Sequence, residues 1–143
     1  MTAEAAFLDR VRRLHFEYCT YVDNADFVGL RSLFAPSAVI DYGPTMRACG
    51  VDAIDRLFRG LRNSCEATSH HATNIVADLG SMAGTAYVMA WHKFTEDPDL
   101  VVWGRYVDDY VSIDGEVRVA QRTLMVHGAT RPMPFNTLPR TSP

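Results

Sequence analysis

Between Ala3 and Val22 the apolar residues Phe7, Val11, Leu14, Tyr18 and Tyr21 recur at steps of three and four. That is the stripe of an amphipathic helix, and Arg10, Arg12, Arg13 and Glu17 fall on its wet side. Asp26 stands where an N-cap would, ahead of a shorter apolar face made by Phe27, Leu30, Leu33 and Phe34, and Ala35-Pro36 stops it. The spacing therefore predicts helices over 3–22 and 27–34. The period then shortens. Ala38 to Tyr42 reads as a strand closed by Gly43-Pro44, and a third helix is predicted from Val51 to Arg62 with Ile54, Leu57, Phe58 and Leu61 inward. Four β-rich runs, 67–78, 84–95, 100–113 and 116–129, fill the second half. Asp114-Gly115 between the last two is a strong hairpin signal.

Three helices followed by an antiparallel meander predict an α+β domain with helices packed on one sheet face. The tail from Arg131 carries Pro132, Pro134, Pro139 and Pro143, which cannot continue a strand ladder, so 131–143 is expected as an extended arm. No repeat, linker or low-complexity segment divides the chain. Its 143 residues suit one domain, 1–143.

Composition narrows the function classes. The net charge of -3 and scattered arginines, with Lys93 the one lysine, offer no basic stripe for nucleic acid. Cys19, Cys49 and Cys65 are an odd count without metal-ligand spacing, which argues against a disulfide framework and for a reducing compartment. Glu4, Asp9 and Arg10 break up the first apolar residues, a pattern of neither a signal peptide nor a membrane span. The expectation is a cytoplasmic protein that acts on a small molecule, with no nucleic-acid or membrane partner.

Strand alternation sorts the candidate chemistry, because residues two apart point the same way. His70, Ala72 and Asn74 share one face, with His71 on the other; Ala86, Val88, Ala90, His92 and Phe94 share a second row; Gly104, Tyr106 and Asp108 share a third. A single histidine is usually structural, and His15, His71 and His127 are read so. His70 and His92 both point from rows that suit a pocket lining, and two imidazoles can supply an acid and a base near neutral pH. No closely spaced ligand pair supports a metal site, and no glycine-rich phosphate loop is present. Gly104, inside a strand, suggests a bend or a close backbone approach. Trp91 and Trp103 face away from the pocket rows, which suggests a self-association surface and a homo-oligomer, dimer or trimer.

The stretch Tyr21-Val22-Asp23-Asn24-Ala25-Asp26-Phe27, then Leu33-Phe34-Ala35-Pro36, Ile40-Asp41-Tyr42-Gly43, Gly50-Val51-Asp52-Ala53-Ile54 and Thr68-Ser69-His70, resembles SnoaL-like proteins of the NTF2-like superfamily over residues 5 to 128. The resemblance implies a cone: a strongly curved antiparallel or mixed sheet whose pocket is covered by three helices of the N-terminal half. Within the superfamily the pocket pattern is most similar to scytalone dehydratase. It implies catalytic roles for Asp23, His70 and His92, and a water-holding or carbonyl-binding role for Tyr42. The family's second tyrosine, beside the Asp, is Val22 here, and the Ser and Asn of its substrate strand are Gly104 and Tyr106. Substrate-contacting positions are thus expected at Val22, Asn74, Phe94, Gly104 and Tyr106. The implied reaction is a cofactor-independent dehydration of a cyclic hydroxy-ketone or polyketide-like molecule. An isomerase or cyclase using the same pocket, and a module that binds a ligand without turning it over, are the alternatives, since fold alone does not select a reaction.

Overall fold

The first apolar stripe forms helix α1 (Ala3–Asp23), started by Thr2, whose hydroxyl accepts the Ala5 N–H at 3.1 Å. The computed structural model describes residues 1–137. The end of the expected arm, 138–143 with Pro139 and Pro143, lies outside the described residues. Asp26 caps α2 (Phe27–Ser32) by accepting the Gly29 N–H at 2.9 Å. The chain then turns directly into β1 (Phe34–Asp41), so the helix ends sooner and the strand begins earlier than the pattern predicts. Phe34 is buried either way, which is why periodicity cannot separate the two states. Pro36 is accommodated by a register shift between Phe34 and Val39, where its missing N–H leaves no ladder bond unmade.

A three-residue strand, β2 (Arg47–Cys49), pairs antiparallel with β1 and is too short to show alternation in the sequence. Helix α3 (Val51–Asn63) buries Ile54 and Phe58, whereas Leu61, expected inward, is 36% exposed at the rim of the pocket. Strands β3 (Cys65–Asp78), β4 (Ala83–Phe94), β5 (Leu100–Ile113) and β6 (Glu116–Ala129) form the antiparallel meander. Asp114 and Gly115 both take positive φ, 52° and 81°, as a type I′ hairpin requires. The six strands lie in the order β2-β1-β6-β5-β4-β3, with β1 parallel to β6 and the remaining pairs antiparallel.

Register shifts bend this open sheet around α1, in β3 between Thr73 and Val76 and along β5–β6 at Trp103/Gly104 and Asp109/Tyr110. Gly104 permits the second of these. A β-carbon there would stand 2.6 Å from the Met125 carbonyl oxygen, so only glycine lets β6 approach this closely. On the outer face Tyr87, Met89, Trp103 and Val107 are exposed, and Trp91 donates its indole N–H to Asp99 at 3.0 Å. From Arg131 to Thr137 the chain is extended and turns back on the sheet: the Val126 N–H donates to Asn136 O at 2.8 Å and the Asn136 amide donates to Asp41 Oδ1 at 2.8 Å.

The concave side holds charged residues beneath α1. Arg122, fully buried, donates to both carboxylate oxygens of Asp108 at 2.9 and 2.7 Å. Tyr110 donates to Asp108 Oδ2 at 3.1 Å, and His15 Nε2 lies 3.1 Å from the Tyr110 hydroxyl. Burial, helped by the Arg122 charge and opposed by Asp108, holds the His15 pKa down at about 4, so this imidazole is neutral. The guanidinium lies 4.5 Å from the Tyr18 ring centre and 4.2 Å from that of Tyr106. Removing one member of such a pair strands the other without water. Arg122→Met is expected to lower the unfolding free energy by about 3–5 kcal/mol. Arg122→Met/Asp108→Leu should recover most of that loss in urea unfolding. A double variant as unstable as the sum of the two singles would contradict the pairing.

Candidate active site

Asp23 is the last residue of α1, and the helix axis delivers its carboxylate to the first half of β3. There it accepts three hydrogen bonds from two residues that alternation puts on one face. The His70 backbone N–H donates to Oδ2 at 2.9 Å, His70 Nδ1 lies 2.7 Å from Oδ1, and the Thr68 hydroxyl donates to Oδ1 at 2.9 Å. Burial would raise the Asp23 carboxyl. The His70 and Thr68 hydrogen bonds outweigh that and hold its pKa below the ordinary value. An ionised carboxylate can only accept, so His70 Nδ1 is the donor of this pair, and in the neutral ring the lone pair is on Nε2.

Thr68 pairs directly with His92 across β3–β4, which brings the two imidazoles together. Their ring centres are 5.3 Å apart with the planes at 85°. Burial first, and the nearby His70 second, lower the His92 pKa to about 4. Its Nδ1 is buried with no hydrogen-bond partner among the described residues. His92 is therefore neutral at ordinary pH, while His70 is tied to a carboxylate. Two identical side chains are set in different environments, the usual way a site divides acid and base work.

Both rings face a cavity of about 910 Å³, counting its open mouth. Val88, Ala90, Val102 and Leu124 line it from the sheet, Val22, Leu30 and Phe58 from the helices, and Met133 and Phe135 from the C-terminal arm. Few polar groups and an apolar wall suit a small, largely hydrophobic ligand. Among the described residues no three His, Cys, Asp or Glu side chains converge as a metal-ligand set. Tyr42 follows the end of β1, is buried, and lines the cavity with its hydroxyl 3.0 Å from that of Tyr18.

Of the expected substrate-contacting positions, Val22, Phe94 and Tyr106 line the cavity. Tyr106 forms its floor against Arg122 and leaves the chamber open. Asn74 does not line it. It takes a positive φ of 51° at the β3 bulge, where one extra residue breaks the alternation, sends Asn74 to solvent and turns Ile75 inward. Gly104 does not line it either, because the β6 backbone fills the space a side chain would use. His71 is exposed and bonded to Ser69 at 2.9 Å, and Asp41 is held outside the pocket by Arg47 and Asn136.

Two polar groups of the site escaped the sequence reading. Thr68 lies two residues before His70, so the same alternation reaches it. Tyr18 belongs to the α1 stripe and reads as core until its hydroxyl partner is known.

A SnoaL-like domain matches residues 3–123. The chain belongs to the SnoaL-like family of NTF2-like folds. No curated protein matches it significantly. A protein of Novosphingobium aromaticivorans, provisionally assigned as a scytalone dehydratase, is 28% identical, superposes with a TM-score of 0.86, and covers 94% of both chains. The hexachlorocyclohexane dehydrochlorinase LinA-type3 of Novosphingobium barchaimii superposes at 0.76 with 15% identity, over 92% of this chain and 94% of that one. ActVI-ORFA of Streptomyces coelicolor superposes at 0.65 with 16% identity, over 83% and 96%. The last two share the fold alone. This SnoaL-like chain has no described helix long and apolar enough to cross a membrane.

The two depressed histidines give a signed pH dependence. In the unfolded chain His15 and His92 take up protons near the ordinary 6.5; in the folded protein they do so only near 4. Below 6.5 the unfolded state binds more protons, so stability is expected to be full above that pH and to fall steadily toward pH 4. Asp23, with its lowered pKa, adds a loss of the same sign in the carboxylate range. Urea unfolding against pH measures the fall. Imidazole NMR signals of His92 should stay flat down to about 5, and a midpoint near 6.5 would show the assigned environment to be wrong.

Proposed function

We propose that this SnoaL-like protein is a cofactor-independent dehydratase acting on a cyclic β-hydroxy-ketone, a polyketide-like ring. The observation that carries this reading is the Asp23–His70 pair at 2.7 Å with a second, neutral imidazole beside it in an apolar chamber. His70 Nε2 removes the proton alpha to the carbonyl, and the C–H electron pair becomes an enolate. Asp23 stabilises the imidazolium that results and keeps the ring in its tautomer. Tyr42 donates to the carbonyl oxygen as charge builds there. The enolate then expels the β-hydroxyl, which leaves as water with the proton carried by His70, while His92 hydrogen-bonds the departing oxygen. One C–H and one C–O bond break, one C=C bond forms, and no oxidant is needed.

The likeness to a provisional scytalone dehydratase at 28% identity supports the reaction class. The apolar wall supports a ring with few oxygens. An isomerase would share the proton-abstraction step but return the proton to carbon.

Mass spectrometry on a panel of cyclic β-hydroxy-ketones separates these outcomes. Loss of water supports dehydration, an unchanged mass supports isomerisation, and no turnover across the panel removes both. Where turnover is found, His70→Gln and His92→Gln should each lower kcat by about 10²- to 10⁴-fold, the usual worth of general acid–base help; His92→Gln should leave the thermal midpoint nearly unchanged, whereas His70→Gln, which loses the ring's bond to Asp23, should lower it modestly. Turnover that survives both substitutions would rule out the histidine mechanism.

A further inference from the structure

Among the described residues that line the cavity, Arg62 is the one with a permanent charge. It stands in the last turn of α3, where its Nη1 donates to the Cys65 carbonyl oxygen. A cation suits the end of a helix, and that bond would account for an arginine that only ties α3 to β3. It accounts for one edge of the guanidinium. The other edge, Nε with Nη2, makes no hydrogen bond among the described residues, and Nε is buried besides. In two other arginines this same edge grips a carboxylate. Arg122 Nε and Nη2 hold the two oxygens of Asp108, and Arg47 Nε and Nη2 hold one oxygen of Asp41. Arg62 presents that edge with no acid against it.

The acids of the neighbouring elements are engaged elsewhere. Asp55 pairs with Arg59, Glu66 with Lys93, and Asp23 with His70, while Asp99 accepts from Trp91. Glu96 and Asp97, in the loop after β4, form no ion pair with Arg62. A second guanidinium adds to the charge here: Cys65 pairs with Phe94 across β3–β4, and Arg131 lies over the Phe94 ring, 4.8 Å from its centre. Arg131 also has no acidic partner among the described residues, and its Nε is buried without a hydrogen bond. Two unneutralised cations thus flank one end of an otherwise apolar chamber. Thr68, opposite His92, is three residues from Cys65, which is about 10 Å along the strand and roughly the length of a two-ring molecule.

We propose that Arg62 is a carboxylate-binding residue and that the ligand of this cavity is a cyclic acid. Its ring lies among Val88, Ala90 and Val102 with one end at the histidines, and its carboxylate takes the Nε–Nη2 edge of Arg62. This rests on the reading above, in which the ring reacts at His70, and it narrows the cyclic β-hydroxy-ketone to one that carries a carboxylate. It concerns binding and can be tested without turnover.

The probes are 2-naphthoate and 2-naphthamide, flat two-ring molecules that differ in bearing a carboxylate or its neutral amide. Both are titrated at neutral pH by fluorescence. Arg62→Gln should weaken naphthoate binding by about 10- to 100-fold, the range for hydrogen bonds to a charged group, and change naphthamide binding by no more than about twofold. Arg62→Lys keeps the charge without the two-pronged edge and should recover only part of the loss. An arginine that merely ties α3 to β3 would shift both probes alike. Equal losses for the two probes, an unaltered naphthoate affinity in Arg62→Gln, or no binding of naphthoate to the unsubstituted protein would overturn the proposal. The unsubstituted protein also gives a readout that needs no variant: the Arg62 Nε–H signal in NMR should move on adding naphthoate and hold still with naphthamide. A signal that ignores naphthoate would overturn it as well. A failed dehydration screen with a passed naphthoate test would reject the reaction and keep the site; the reverse would reject the site and keep the reaction.

Discussion

A guanidinium with no access to water is the constraint around which this fold is organised. Arg122 can be buried only if its charge is met from several directions at once, and of its nitrogens Nη1 alone has no hydrogen-bond partner among the described residues. Asp108 meets it from the neighbouring strand, and Tyr18 and Tyr106 cover its faces. His15 approaches within 3.4 Å of it, from the same helix as Tyr18. Helix α1 therefore cannot slide or roll on the sheet without uncovering a charge. Five residues beyond Tyr18, about 7.5 Å along the helix axis, the same rigid element ends in Asp23. The position of the Asp23–His70 pair is thus set at one end of α1 by an ion pair buried near its middle.

At that end the Asp23 carboxylate is held by one strand, β3, through both His70 and Thr68. Asp23 accepts from the backbone and ring of His70 and from Thr68, so the bonds that lock the imidazole also fasten α1 to β3. Packing and chemistry use the same contacts. His92 lacks such a partner and is held neutral by burial, so the difference between the histidines lies in their surroundings. A cluster like this, with one ionised carboxylate, one oriented imidazole and one neutral imidazole against an apolar wall, is poorly suited to stability alone. Among the described residues His92 Nδ1 has no hydrogen-bond partner, and both rings line the cavity.

Much of this was legible along the chain. The α1 stripe, the Asp26 cap, the Asp114-Gly115 hairpin and the common face of His70 and His92 follow from periods of 3.6 and 2 and from turn chemistry. The misreadings have one origin in each case. At Phe34 an apolar residue is buried equally well by helix or strand, so the boundary moved. At Asn74 a single inserted residue inverted the alternation, and the side chain expected in the pocket went to solvent. At Gly104 a position counted as lining became a point of contact between two backbones. Tyr18 was visible as part of a stripe, but nothing in a stripe tells which aromatic carries its hydroxyl to a second one.

The sequence alone determined the elements, their faces and the set of groups able to move a proton, because each depends on neighbours within a few residues. Only the tertiary structure decided which of those groups meet, which histidine is tied to a carboxylate, and which tyrosine partners Tyr42. Those outcomes depend on bulges that reset alternation and on a buried charge that fixes one helix against a curved sheet. Both act between residues far apart in the chain, where local periodicity carries no information.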